Sequence, residues 1–152
     1  MGLTGKQEVE IPIKSSADKF YKIFRSEAHQ IPTAGADHVH AINVHEGDWE
    51  TKGSVKEWTY NLDGVNPLKV KEKTEEIDDE NKCITFSIVD GEIRKEFKSF
   101  KTIIQVIPKE EGCTVKWTLD YEKKREDVQD PSAYIELATN LTKAIESHHL
   151  KA

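Results

Sequence analysis

From Asp130 to Leu150 the chain carries one uninterrupted helical pattern, and a helix of that length needs a large surface to pack on. Asp130-Pro131 marks its start. An Asp side chain accepts from the free N–H groups of a first turn, and Pro at the first helical position has no N–H to leave unpaired. Tyr134, Leu137, Ala138, Leu141, Ala144, Ile145 and His148 follow at three- and four-residue spacings, so they share one face. Glu136, Asn140, Lys143, Glu146 and Ser147 take the other face. At ~1.5 Å per residue the stripe is roughly 30 Å long. Something of matching length has to cover it.

The chain ahead of that helix supplies strands. Lys6 to Ile13 alternates Val9, Ile11 and Ile13 against Glu8, Glu10 and Pro12, which predicts a first strand with Pro12 near its end. Ser15-Ser16-Ala17-Asp18 resembles a capping box with Asp in place of Glu, ahead of a short helix whose apolar face is Phe20, Ile23 and Phe24. Ser26 is expected to cap a second short helix carrying Ala28 and Ile31, closed by Pro32. From His38 onward turn signals such as Asp63-Gly64 and Asp90-Gly91 separate strands over 38–45, 54–61, 67–77, 83–89, 97–107 and 114–123. Connections this short make them hairpin neighbours in an antiparallel meander.

Alternation shows which side faces the helix. Val115, Trp117, Leu119 and Tyr121 alternate with Lys116, Thr118, Asp120 and Glu122 in the last strand. Ile84, Phe86 and Ile88 share one side of their strand, as do Phe100, Thr102, Ile104 and Val106. Phe97 and Phe100 are three apart, which breaks the period of two and predicts a bulge at Lys98-Ser99. Charged residues also fall on inward faces. Glu72 lies between Val70 and Thr74, and Lys56 shares a face with Trp58 and Tyr60. A dry core strongly disfavours an isolated charge. The pair therefore neutralise each other, or the interior holds water or ligand, or Glu72 reaches solvent at a strand end. One helix cannot fill a curved sheet of seven strands ~4.8 Å apart. Either large aromatics close the gap or a cavity remains.

Other function classes find little support. A net charge of -6 without a basic patch argues against nucleic acid. No apolar run approaches the ~18–20 residues that span a bilayer, and no secretory apolar core opens the chain, so neither an integral membrane protein nor a secreted one is expected. Met1-Gly2 invites a myristoylation check, but Lys6 stands where that motif wants Ser or Thr. Cys83 and Cys113 read as free thiols. Asn140-Leu141-Thr142 is a glycosylation sequon by chance, inside a helix. His38 and His40 share a strand face, but His45 falls on the opposite one in a regular strand, so no third zinc ligand is at hand. His148 and His149 are expected at the helix C-terminus, where cationic His suits the dipole. No nucleophile–base arrangement is recognisable.

Strand, two short helices, a six-strand meander and a long C-terminal helix make an α+β chain that resembles the helix-grip fold of the Bet v 1-type, pathogenesis-related class ten (START-like) proteins. Specific stretches are similar to the major latex protein branch: Met1-Gly2-Leu3-Thr4-Gly5, His45-Glu46-Gly47-Asp48-Trp49, Gly53-Ser54-Val55-Lys56-Glu57-Trp58, and Thr102-Ile103-Ile104-Gln105-Val106-Ile107-Pro108-Lys109. The resemblance covers essentially all of residues 1–152 as a single domain, and the Glu-Gly-Asp-Trp loop is its most specific part.

It implies a seven-stranded antiparallel sheet wrapped around the helix, and a cytosolic plant carrier of hydrophobic small molecules (lipid, sterol or phenolic), linked to defence or stress. A monomer without cofactor, metal or catalytic residues is expected. The cavity wall is expected from Lys56, Trp58, Tyr60, Val70 and Glu72, from Phe86, Ile88, Phe100, Thr102, Ile104 and Trp117, and from Tyr134, Leu137, Ala138 and Leu141 on the helix. Ligand access is expected near Ile31, Gly64 and Gly91. Lys56 or Thr102 would orient a carboxylate or hydroxyl, while Glu72 would favour a hydroxyl or amine and repel an anion.

Departures from the family pattern narrow the reading. Between Gly47 and Gly53 stand Trp49 and Glu50, not the glycine-rich loop proposed to cradle phosphate in relatives. Leu62-Asp63-Gly64-Val65-Asn66-Pro67 replaces the gate of the abscisic-acid receptors. The inward face of the last strand lacks the catalytic Lys of relatives that condense dopamine with an aldehyde. The alternative to a carrier is an interaction module with a filled core and a protein partner at the Trp49 loop, since an exposed Trp is a frequent hot spot.

Overall fold

A computed structural model describes residues 3–151; the Met1-Gly2 start lies outside them. Strand β1 (Thr4–Ile13) leads to helix α1 (Ala17–Arg25), a 3-10 turn (Ala28–Gln30) and helix α2 (Ile31–Ala34). The meander follows as β2 (Val39–Glu46), β3 (Val55–Asn61), β4 (Pro67–Asp78), β5 (Cys83–Gly91), β6 (Phe97–Pro108) and β7 (Cys113–Lys123). A second 3-10 turn (Glu92–Lys95) separates β5 from β6, and helix α3 (Ser132–Lys151) ends the described chain.

All seven strands form one antiparallel sheet in the order β1-β7-β6-β5-β4-β3-β2. β1 returns to pair with β7, placing Val9 opposite Trp117 and Ile11 opposite Val115. The sheet curves around α3, whose buried stripe is Ala138, Leu141, Thr142, Ile145 and His149. Trp117, Leu119, Phe86, Ile104 and Leu141, expected between sheet and helix, are all buried. The bulge foreseen at Lys98-Ser99 is there, as a register shift between Phe97 and Ser99.

Several local expectations are corrected. Ser16, not Ser15, caps α1 by accepting from the Lys19 N–H at 3.2 Å, which leaves Asp18 in the first turn where its charge suits the dipole. Ser26 closes α1 and caps nothing ahead of it, and Pro32 sits in the first turn of α2 rather than at its end. Pro lacks a backbone donor, which the first turn does not need, so opening a helix is its low-cost position. Asp130 directs its carboxylate to Lys123 at 2.7 Å and to the Tyr121 hydroxyl at 3.2 Å. His149 lies within α3, buried against the Ser15 hydroxyl at 3.3 Å. Burial lowers its pKa, so it favours the neutral form instead of complementing the helix dipole as a cation.

Candidate functional site: an internal cavity

Between the sheet and α3 the core is not filled. A cavity of about 100 Å³ lies among side chains from almost every element. β3 contributes Trp58 and Tyr60, β4 Val70 and Glu72, β5 Phe86 and Ile88, and β6 Phe100 and Thr102. β7 adds Trp117 and Leu119; α3 adds Tyr134, Leu137, Ala138 and Leu141. Strand parity explains these positions, since residues two apart share a face.

Two residues expected on this wall are not part of it. Ile104 has no exposed surface and lies in solid core between its strand partners Ile84 and Trp117. Lys56 is 4% exposed and sits beyond the cavity, where Glu72 and Asp48 support its charge against the desolvation that lowers its pKa. The wall also includes Phe24, Val39 and Ile93, which were not expected there. Phe24 was legible as core but not as cavity lining. Val39 is followed by a register shift in β2, and Ile93 sits in a turn that reads as polar from its neighbours.

Polar groups on the wall are few. Tyr60 and Tyr134 hydrogen-bond to each other through their hydroxyls, with ring centroids 5.9 Å apart, tying β3 to α3. Burial raises both phenol pKa values. Glu72 is the charged residue of the wall. Burial pushes its carboxyl up to about 7, against the opposing effects of Lys56 and the Trp58 indole. Glu72 lines the cavity while keeping partial accessibility. Lys56 pairs with Glu72 in strand register, and Trp58 pairs with Val70, which makes Trp58 and Glu72 diagonal neighbours. The Trp58 Nε1 atom is buried without a hydrogen-bond partner, although it lies near enough to Glu72 to favour the charged carboxylate.

Leu137 borders both the cavity and a surface depression lined by His38, Asn61, Gly64 and Glu136. Ile31, one of the expected access points, has no exposed surface. A second depression meets the cavity at Ile88 and Phe100, where β5–β6 pairing has stopped beyond Ser87 and Lys101.

The loop after β2 has other work. Asp48 accepts from the backbone N–H groups of Glu50 at 2.9 Å and Thr51 at 2.7 Å, and from the Thr51 hydroxyl at 2.8 Å. Those are the donors a phosphate-cradling loop would offer, and here a carboxylate of the chain itself occupies them. Trp49 is half-buried, packs on the core and meets His29 edge-on at 5.3 Å. The ring is thus only partly exposed. His40 Nε2 contacts Asn61 Nδ2 at 2.9 Å, and no group of His, Cys, Asp and Glu suited to a metal ion occurs among the described residues.

Comparison with known proteins agrees with this architecture. Residues 2–152 match the profile of the Pathogenesis-related protein Bet v 1 family. MLP-like protein 43 of Arabidopsis thaliana is 39% identical over 150 residues, covering 97% of this chain and 94% of that protein. MLP-like protein 28 of the same plant is 38% identical over 150 residues, 97% of this chain, but the chain spans only 44% of that relative's length. The crystal structure of ginseng major latex-like protein 151 from Panax ginseng superposes with a TM-score of 0.95 at 39% identity, covering 98% of this chain and 99% of that one. With sheet order, helix placement and sequence in agreement, this chain belongs to the Bet v 1 family, within its major latex protein branch.

Proposed function

We propose that the chain binds and carries hydrophobic small molecules in the cavity between its sheet and α3, without catalytic turnover of its own. The observation that supports this is a void in a core that is otherwise packed solid at Ile104, Val115 and Ile145. Protein interiors seldom leave space larger than a water molecule. At ~24 cal/mol per Å³, a void of this size costs roughly 2 kcal/mol, which a bound apolar group would recover. Its wall is aliphatic and aromatic apart from the groups at Glu72, Trp58, Thr102 and the tyrosine pair. Proton transfer needs a positioned acid and base, and Glu72 has no second ionisable group beside it on the wall except the high-pKa tyrosines.

The cavity dimensions favour ligands about the size of one ring; a sterol needs the wall at Leu137 and Tyr134 to move. Fatty-acid binding is disfavoured, because Lys56 is off the wall while Glu72 is on it. Calorimetric titration with a fatty acid, a sterol, a flavonoid and a single-ring phenol tests the reading. Binding of at least one, weakened by the cavity-filling substitution Ala138→Leu, is expected. If none binds and an apolar dye finds no internal site, the carrier reading is wrong.

A further inference from the structure

Two polar groups on the cavity wall are left with unused capacity. The Trp58 indole N–H is a buried donor with no acceptor. The Glu72 carboxylate lies close enough to the indole to be favoured by it but not in bonding geometry, and Lys56, its partner in strand register, supports it through charge alone. The tyrosine hydroxyls, by contrast, already bond to each other. Diagonal strand neighbours stand roughly 7–8 Å apart at their backbones, which places both groups around one patch of the wall.

The chemistry that serves both groups at once is narrow. A hydroxyl oxygen accepts from the indole while its proton is donated to the carboxylate. An ammonium has no lone pair for Trp58. Above about pH 7, where Glu72 is ionised, a carboxylate has no proton for it and adds a second negative charge to the site. An ether or carbonyl satisfies the indole alone. We propose that the cavity selects apolar molecules carrying a single phenolic or alcoholic hydroxyl, held between Trp58 Nε1 and the Glu72 carboxylate. This rests on the cavity being a ligand site and adds which polar group that ligand carries.

The test compares 4-propylphenol, propylbenzene and 4-propylbenzoate, which share one apolar body, by calorimetry on the full chain at pH 8, where Glu72 is ionised. The phenol binds at least tenfold more tightly than either analogue, because each analogue leaves one or both buried groups unpaired. Trp58→Phe and Glu72→Met each reduce that preference to threefold or less while propylbenzene affinity is kept. In the unmutated protein, the Trp58 indole proton resonance moves downfield with the phenol and stays in place with propylbenzene, a readout independent of whether the variants fold. Equal binding of phenol and propylbenzene overturns this proposal and leaves the carrier reading intact. Tighter binding of the benzoate also overturns it. Absence of binding by all three removes the carrier reading and this proposal with it.

Discussion

The Trp117 indole on β7 donates to the Thr142 hydroxyl on α3 at 2.8 Å, and that hydroxyl in turn donates to the Ala138 carbonyl at 2.7 Å. Both residues are buried, and Phe24 packs edge-on against the indole at 5.3 Å. The sheet and the helix are therefore joined by a satisfied polar contact inside an apolar seam. Thr142→Val keeps the shape and strands the indole donor. A loss of about 1–3 kcal/mol in urea unfolding is expected, with most of it restored by Thr142→Ser. Unchanged stability in the Val variant would show that the contact does not hold the helix.

Glu72 should make stability fall as pH rises. Its carboxyl titrates near 4.5 when unfolded and is raised to about 7 in the folded chain. Between those values the folded state holds more protons than the unfolded state, so the stability present below about 4.5 is lost as pH rises through about 7. At ~1.36 kcal/mol per unit this amounts to at most roughly 3 kcal/mol. Glu72→Gln removes the dependence: the variant matches the parent near pH 4 and exceeds it near pH 8. The gain is limited because Lys56 loses the charge that supports it. Urea unfolding across that range reads the difference, and a constant offset between the two proteins would contradict it.

The sheet was legible because its strands alternate cleanly, most of all Val115 to Tyr121, and the bulge after Phe97 showed as a broken period. What stayed hidden depends on position along an element rather than on face. Lys56 and Glu72 obey the same parity, yet only Glu72 reaches the cavity, since parity does not say where the void ends. Thr142 and His149 are polar, so a search for apolar periodicity passes over them although both are buried. Ser16 rather than Ser15 caps α1, and the Ser15 hydroxyl meets His149, 134 residues away, a contact that the local pattern does not show.

The loop closed by Asp48 should ignore phosphate. Its backbone donors are occupied, and Gly47 has a positive φ of 82° with the Ser54 side chain where a Cβ would stand. Millimolar inorganic phosphate is expected to leave the amide resonances of residues 47–53 unmoved. Asp48→Ala should speed hydrogen exchange at Glu50 and Thr51 while leaving ligand affinity unchanged. Saturable phosphate shifts in the unmutated loop would overturn this assignment.

Leu141→Ala should trade stability for volume. Leu141 is 4% exposed and lines the cavity from α3. Truncation is expected to cost about 2–5 kcal/mol in chemical unfolding. The added space should improve binding of two-ring compounds relative to one-ring compounds. A large stability loss with no change in that ratio would place Leu141 outside the ligand's reach.

Location of the bound molecule is the most direct test. Methyl NMR of the full chain titrated with 4-propylphenol is expected to give saturable shifts at Val70, Ile88, Leu137 and Leu141, all on the cavity wall. Val65 and Leu150, exposed at 79% and 57%, serve as internal controls and should not move. Shifts confined to those exposed methyls, or none at any concentration the compound allows, would contradict a ligand-binding interior.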